Sequence, residues 1–258
     1  MNVAMMQPSF MPWQGYFELI FKADRFIFLD DFQFSVQSYH QRNRLFVNRE
    51  QVDWYTVPVE KSKSFMAPLN ETRINESSSW RIKQWKRIQQ NYGKTAFYSI
   101  VSPEIERWIH AAAPSLAAQN IDLIMSVCCL LGIDREISFS SHHPSQVERS
   151  QRVLELLRLH EADRYICARG SFPYMLDDGL FPTEDIEVCF QNYAPKVYAQ
   201  TGSPREFIPY LSVLDALMNI GPKETLQLIA NGTECWSSWS DMVAQSKVQS
   251  LSSYAKKG

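Results

Sequence analysis

The chain has 258 residues, 45% apolar and 21% charged, a composition that suits a folded core of one or two domains and argues against disorder. Lys and Arg total 26 against 28 Asp and Glu, so the net charge is -2 and the strongly basic balance of a duplex nucleic-acid binder is absent. No stretch reaches the roughly 18 uninterrupted apolar residues of a spanning helix. The best apolar run, 121–131, contains Asp122.

The opening has no basic region or small-residue cleavage site of a signal peptide, so a cytoplasmic protein is expected. The five cysteines are an odd number without a CxxC, which reads as thiols in a reducing compartment. Residues 1–100 carry 13 basic and 9 acidic side chains, and residues 101–258 carry 13 and 19. The basic bias at the front is small but compatible with phosphate binding.

In chain order, Val3–Met6 is apolar and is stopped by Gln7-Pro8, which predicts a buried strand. Residues 15–23 have apolar residues at helical spacing, and 25–29 reads as a second strand ended by Asp30 and Asp31. Strand, helix, strand within about thirty residues is a βαβ unit with parallel strands. Residues 45–47 and 54–59 read as a strand pair, with Pro58 marking an edge or an end. Residues 61–79 are polar and aperiodic and read as a loop.

Three helices are predicted at 80–92, 103–113 and 115–131. Pro103 is assigned to a first turn and Gly132 to a C-cap. Strands at 137–139, 164–167 and 186–190 alternate with a helix at 146–160, continuing the α/β pattern. Helices at 212–220 and 224–230 flank the break Gly221-Pro222. The expected fold is therefore α/β, a mostly parallel Rossmann-like sheet with flanking helices. It is expected as one domain over 1–245, with a helical insertion at about 78–132 and a flexible tail at 246–258.

The segment 7–17 lies at the carboxyl end of the first strand and enters a helix N-terminus. Ligands bind in that crevice of open α/β sheets, and the helix end offers free N–H groups to an anion. Gly15 would allow close backbone approach; the alternative is a rigid aromatic turn joining two layers. Asp30-Asp31-Phe32-Gln33 follows the second strand and could hold a metal, a hydroxyl or an amine, or form a solvated turn. In Tyr39-His40-Gln41-Arg42-Asn43-Arg44 the two arginines flanking Asn43 suit bidentate binding of phosphate or carboxylate, or the segment is a polar turn.

His142 and His143 follow a strand. The remaining histidines are too scattered for a metal set, so no metal site is expected. A Cys167–His142 nucleophilic pair has no motif behind it. Ser212 is a good N-cap residue, and Asp215 would complete a box-like cap.

Several of these segments together carry a family resemblance. QPSFMPWQGYFELIFKADRFIFLDDFQF (7–34), QRNRL (41–45), TVPV (56–59) and YAQTGSPREFIPYLSVLDALMNIG (198–221) occur in order over residues 3–222 and resemble the WbqC-like protein family. The resemblance implies a component of bacterial surface-polysaccharide biosynthesis, O-antigen especially. Its implied task is attaching an acyl or aminoacyl group such as glycyl to a nucleotide-linked amino sugar, with an acyl or aminoacyl carrier as a further partner.

On that reading Asp30 or Asp215 is the general base and Ser212 a candidate nucleophile. Gln7, Pro12, Trp13, Gly15, Tyr16, Gln33, Arg42, Asn43, Tyr198, Gln200 and Asn219 form the substrate site. The alternative is a non-catalytic binder of a nucleotide sugar or glycan. Strand, QPSFMPWQGY, helix, strand is also similar in shape to HIGH-type nucleotidyltransferases. That similarity would imply ATP with magnesium as cofactor, although the histidine pair and the Lys-Met-Ser-Lys loop are missing.

Overall fold

The computed structural model describes residues 1–48, 51–60, 66–201 and 206–255, with side chains as far as 248. The first unit is β1 (Asn2–Met6), α1 (Gln14–Lys22) and β2 (Arg25–Phe28), with β1 and β2 parallel. A hairpin follows, β3 (Arg42–Phe46) antiparallel to β4 (Val52–Thr56), which stands apart from the main sheet. Then come α2 (Trp80–Tyr92), α3 (Tyr98–His110), α4 (Leu116–Leu131) and β5 (Glu136–Phe139). The second half contains α5 (Arg149–Leu159), β6 (Arg164–Ala168), α6 (Phe172–Asp178), β7 (Glu187–Gln191), α7 (Val213–Ala230), β8 (Ser237–Ser238) and α8 (Trp239–Ala255).

The six-stranded sheet has the order β5-β2-β1-β6-β7-β8, parallel throughout except for β8. Read in chain order this is 3-2-1-4-5-6, the doubly wound arrangement whose direction of winding reverses between the first and fourth strands. The α/β expectation holds, and the reversal lies between the carboxyl ends of β1 and β6.

Strand alternation divides the core into two layers. Ala4, Phe26, Phe28 and Ile166 face one side and pack under α1, α7 and the helices α2–α4. Val3, Met5, Ile27, Tyr165, Cys167, Val188 and Phe190 face the other, under α5, α6 and the start of α8. Leu45, Phe46 and Tyr55 attach the hairpin to the first layer.

Some local signals act as the sequence suggests. The Ser115 hydroxyl accepts from the Ala118 N–H at 3.2 Å and starts α4, and Gly132 ends it with φ +68°. α7 is kinked at Gly221, where φ is +83° and an added Cβ would lie 2.5 Å from the Phe97 ring.

Others act differently. Pro103 is inside α3, because the helix begins a turn and a half earlier at Tyr98. Residues 172–178 form a helix with Pro173 in its first turn and Gly179 at its end, and β8 pairs with β7. The backbone is helical to Ala255, and 256–258 lie outside the described residues. Of the 61–79 loop, residues 61–65 also lie outside them. The remainder is irregular, pinned by isolated bridges Gln33–Pro68 and Val59–Ile74.

Candidate functional site

Pro8 ends β1, so the chain leaves the sheet as the loop 7–13 at the carboxyl end of the strand. A loop there cannot pair its carbonyls with a ladder, and side chains do so instead. The Asn43 amide donates to the carbonyls of Phe10 and Met11 at 3.3 and 2.7 Å. The Asn120 amide donates to those of Pro8 and His40 at 3.0 and 2.8 Å. Tyr16 donates its hydroxyl to the Gln7 carbonyl at 3.2 Å. Met11 has φ +45°, a conformation that these bonds hold in place.

Pro12 accepts from the Val213 N–H at 2.8 Å, and Trp13 bridges to Ser212. A Cβ on Gly15 would sit 2.3 Å from the Trp13 ring. The close approach that Gly15 permits is therefore to Trp13 and not to a ligand.

Three cavities surround the end of β1, and Gln7 lines all of them. The first, about 590 Å³, is polar, with Asp31, Gln33, Ser35, Glu148, Arg149 and Arg152 in its wall. The second, about 440 Å³, is aromatic, with Trp13, Tyr16, Tyr39, His40 and Tyr210 around it. Trp13 packs against Tyr210 at 5.2 Å and Tyr193 at 4.9 Å. The third, about 400 Å³, opens at the switch point between β1 and β6.

His40 fixes Gln7. Its Nδ1 accepts from the Ser35 N–H at 3.2 Å, so its proton belongs on Nε2, which donates to Gln7 Oε1 at 2.9 Å. Burial pushes the imidazole down to about 4, which keeps it neutral. With its oxygen engaged, Gln7 has its amide N–H groups left to offer to a ligand.

The paired acids have different surroundings. Asp30 is buried and accepts from the Ser141 hydroxyl and N–H at 2.7 and 3.1 Å, tying β2 to the turn 140–142. Asp31 is the one in the cavity wall. It accepts from the Ser140 hydroxyl and lies 3.5 Å from Arg152, whose guanidinium also donates to the carbonyls of Ser140 and His143.

The carboxyl-terminal motif lies elsewhere. Asp215 is wholly buried and lines none of the three cavities. It accepts from the hydroxyls of Tyr92 and Tyr198 at 2.9 and 2.7 Å, and from the amides of Gln200 and Asn219 at 3.2 and 3.3 Å. Burial pushes its carboxyl up to about 6 against the pull of Tyr198, Tyr92 and Gln200.

Ser212 is also wholly buried, and its hydroxyl accepts from the Leu214 N–H at 3.3 Å. The N-cap is present, but the box is not: the Ser212 N–H goes to the Arg44 carbonyl. Tyr198, Gln200, Asn219, Ser212 and Asp215 thus form a clamp behind the loop, away from the cavities. Arg42 stacks its guanidinium over Trp54 at 4.3 Å, and Asn43 is a loop holder at the edge of the aromatic cavity.

Cys167 is enclosed in β6 and burial raises its thiol, and Cys128 is pushed up to about 12, so neither matches an activated nucleophile. Among the described residues no three His, Cys, Asp or Glu side chains converge as a metal-ion set, and no helix is long and apolar enough to cross a membrane.

Of the residues singled out from sequence, the structure gathers Gln7, Pro12, Trp13, Tyr16, Gln33 and Asn43 around the cavities. Asp31, Tyr39 and His40, from the segments 30–34 and 39–44 singled out with them, join the lining, and the structure adds Arg149, Arg152 and Tyr210. Arg149 and Arg152 had no local signal.

The sequence model of the WbqC-like protein family matches residues 7–227. A Mycobacterium tuberculosis (strain ATCC 25618 / H37Rv) protein named uncharacterized protein Rv1507c is 28% identical over 226 residues, covering 85% of this chain and 94% of that one. No solved structure matches the chain.

Proposed function

The chain belongs to the WbqC-like protein family, and from that premise we propose that it is a transferase forming an amide on a nucleotide-linked amino sugar in bacterial surface-polysaccharide biosynthesis. The observation that carries this reading is the meeting of an aromatic and a polar cavity at Gln7, on the carboxyl side of a doubly wound sheet. Trp13, Tyr39 and Tyr210 offer ring faces to a sugar. Arg149 and Arg152 in the polar wall suit a diphosphate, although Arg149 and the Ser150 N–H at the start of α5 both already hold Asp178, and Glu148 stands in the same wall.

Asp31 is the general base in this reading, in place of Asp30 or Asp215. The sugar ammonium gives a proton to the Asp31 carboxylate, and the freed amine attacks the carbonyl carbon of an activated acyl donor. The C–N bond forms, the bond from the carbonyl to its carrier breaks, and the carrier leaves with the electron pair and takes up a proton. Gln7, held by His40, donates to the carbonyl oxygen as negative charge develops there. Gln33 and Tyr16 shape the walls.

The test is a thermal-shift panel of UDP- and dTDP-linked amino sugars, ATP with magnesium, glycine and acyl-CoA, followed by a turnover assay. A sugar nucleotide should raise the melting temperature by mass action. Asp31→Asn should cut turnover about 100-fold or more while the melting temperature holds. Asp30→Asn should act on stability instead. Full turnover by Asp31→Asn would overturn the assignment of the base. Binding of a sugar nucleotide without consumption of any donor would favour the non-catalytic alternative, for which the aromatic rim alone suffices.

A further inference from the structure

The third cavity is mainly apolar, as the aromatic one is, but aliphatic side chains make up much of its wall where the second has rings. Its wall includes Met5, Met6, Leu29, Phe32 and Val153, and Gln7 and Arg149 also line it. Tyr165, Ser171 and Tyr174, also in the lining, interact with one another. The lining contains no carboxylate, and Arg149, which also borders the polar cavity, is paired with Asp178 at 2.9 Å. Arg149 has φ +52°, a conformation seldom kept without a local reason.

We propose that this cavity is the acyl subsite and takes an uncharged apolar acyl chain, with its carbonyl at Gln7, rather than an aminoacyl group. The proposal rests on the transferase reading and specifies its donor. At ~30 Å³ for each non-hydrogen atom, the share of a water molecule in the liquid, 400 Å³ admits about a dozen atoms. That is room for a chain of up to eight carbons. A glycyl ammonium placed there would lose its hydration with no anion to receive it. An acyl chain instead gains from leaving water for Met, Leu, Phe and Val side chains. Gln7 stands between this cavity and the aromatic one, so an acyl carbonyl at Gln7 lies where an amine held against Trp13 and Tyr39 can reach it.

Simple carboxylates serve as probes, because they present the chain and an oxygen pair without presupposing a carrier. Ligand-observed NMR titrations would compare acetate, propionate, butyrate, hexanoate, octanoate and glycine. Affinity should rise about fourfold per methylene until the cavity is full. Propionate should bind where glycine, with an ammonium in place of the terminal methyl, does not. Gly170 lines the cavity and an added Cβ there meets no atom within 4 Å, so Gly170→Leu enters open space. It should cut octanoate affinity at least tenfold and flatten the chain-length series, with the melting temperature confirming that the variant folds.

Equal affinity for butyrate and octanoate, equal affinity for propionate and glycine, no binding by any probe, or an octanoate affinity unmoved in Gly170→Leu would each overturn the proposal. Sugar-nucleotide binding in the same samples reads the transferase reading separately. Its absence beside an intact chain-length series would remove that reading and leave the apolar subsite standing.

Discussion

Two buried groups titrate in the same pH range with opposite consequences for stability. Asp215 is raised from its ordinary 3.8 to about 6 by burial. Its native form holds a proton more tightly than the unfolded chain, so its contribution is full below about pH 4 and is lost as pH rises through 6. About two units at 1.36 kcal/mol each give about 3 kcal/mol. His40 is lowered from 6.5 to about 4, also by burial. The unfolded chain takes up its proton first, so this contribution is present above about pH 6.5 and is lost as pH falls through 4. It too comes to about 3 kcal/mol.

In the intact protein these two slopes oppose each other between pH 4 and 6.5. Removing one should uncover the other. Urea unfolding followed by tryptophan fluorescence, at half-unit steps from pH 4 to 7, reads the difference directly. Relative to the parent, Asp215→Asn should lose about 3 kcal/mol more as pH falls across the range, and His40→Gln about 3 kcal/mol less. A constant loss from the broken Tyr92 and Tyr198 hydrogen bonds shifts the Asp215→Asn curve without tilting it. Curves parallel to that of the parent in both variants would refute the reasoning.

Gly15→Ala should destabilise the fold by about 1–3 kcal/mol, because the new methyl overlaps the Trp13 ring; thermal unfolding measures it. Ser212→Ala should cost about 1 kcal/mol as a lost N-cap and leave turnover unchanged. Lost turnover at unchanged stability would restore Ser212 as a nucleophile. In native protein a thiol reagent should titrate the exposed Cys129 and Cys235 first, with Cys128 and Cys167 reacting only after denaturation.

The sheet was legible because its signals are local. The apolar run Val3–Met6 stopped by Pro8, the Ser115 cap and Gly132 each decide backbone conformation within a few residues, and each does so in the structure. α6 carried such a signal too, Pro173 and Gly179 around a short apolar stretch. The two residues of β8 did not: Ser237–Ser238 are a strand only because Cys189 and Phe190 lie beside them. The same divide runs through the site. Asp215 beside Ser212 looks like a helix cap in one dimension, yet its carboxylate turns to Tyr92, 123 residues away. Arg152 joins the cavity through the 140–143 carbonyls, a placement that helical spacing cannot reveal.

What the motifs preserve is therefore mainly the attitude of one loop. Asn43, Asn120 and Tyr16 satisfy the carbonyls of Gln7, Pro8, Phe10 and Met11, and Gln7 so held lines all three cavities. The hairpin supplies Asn43, α4 supplies Asn120 and α1 supplies Tyr16, so three elements agree on one loop position. The Asp215 clamp joins α7 to α2 through Tyr92, and the Tyr92 hydroxyl accepts from the Phe46 N–H of the hairpin. A buried carboxylate with four donors keeps its place only while all four converge, since each donor left unpaired costs about 1–3 kcal/mol. The clamp thus holds the hairpin that holds the loop, and the motif residues farthest from the cavities act on Gln7 through that chain of contacts.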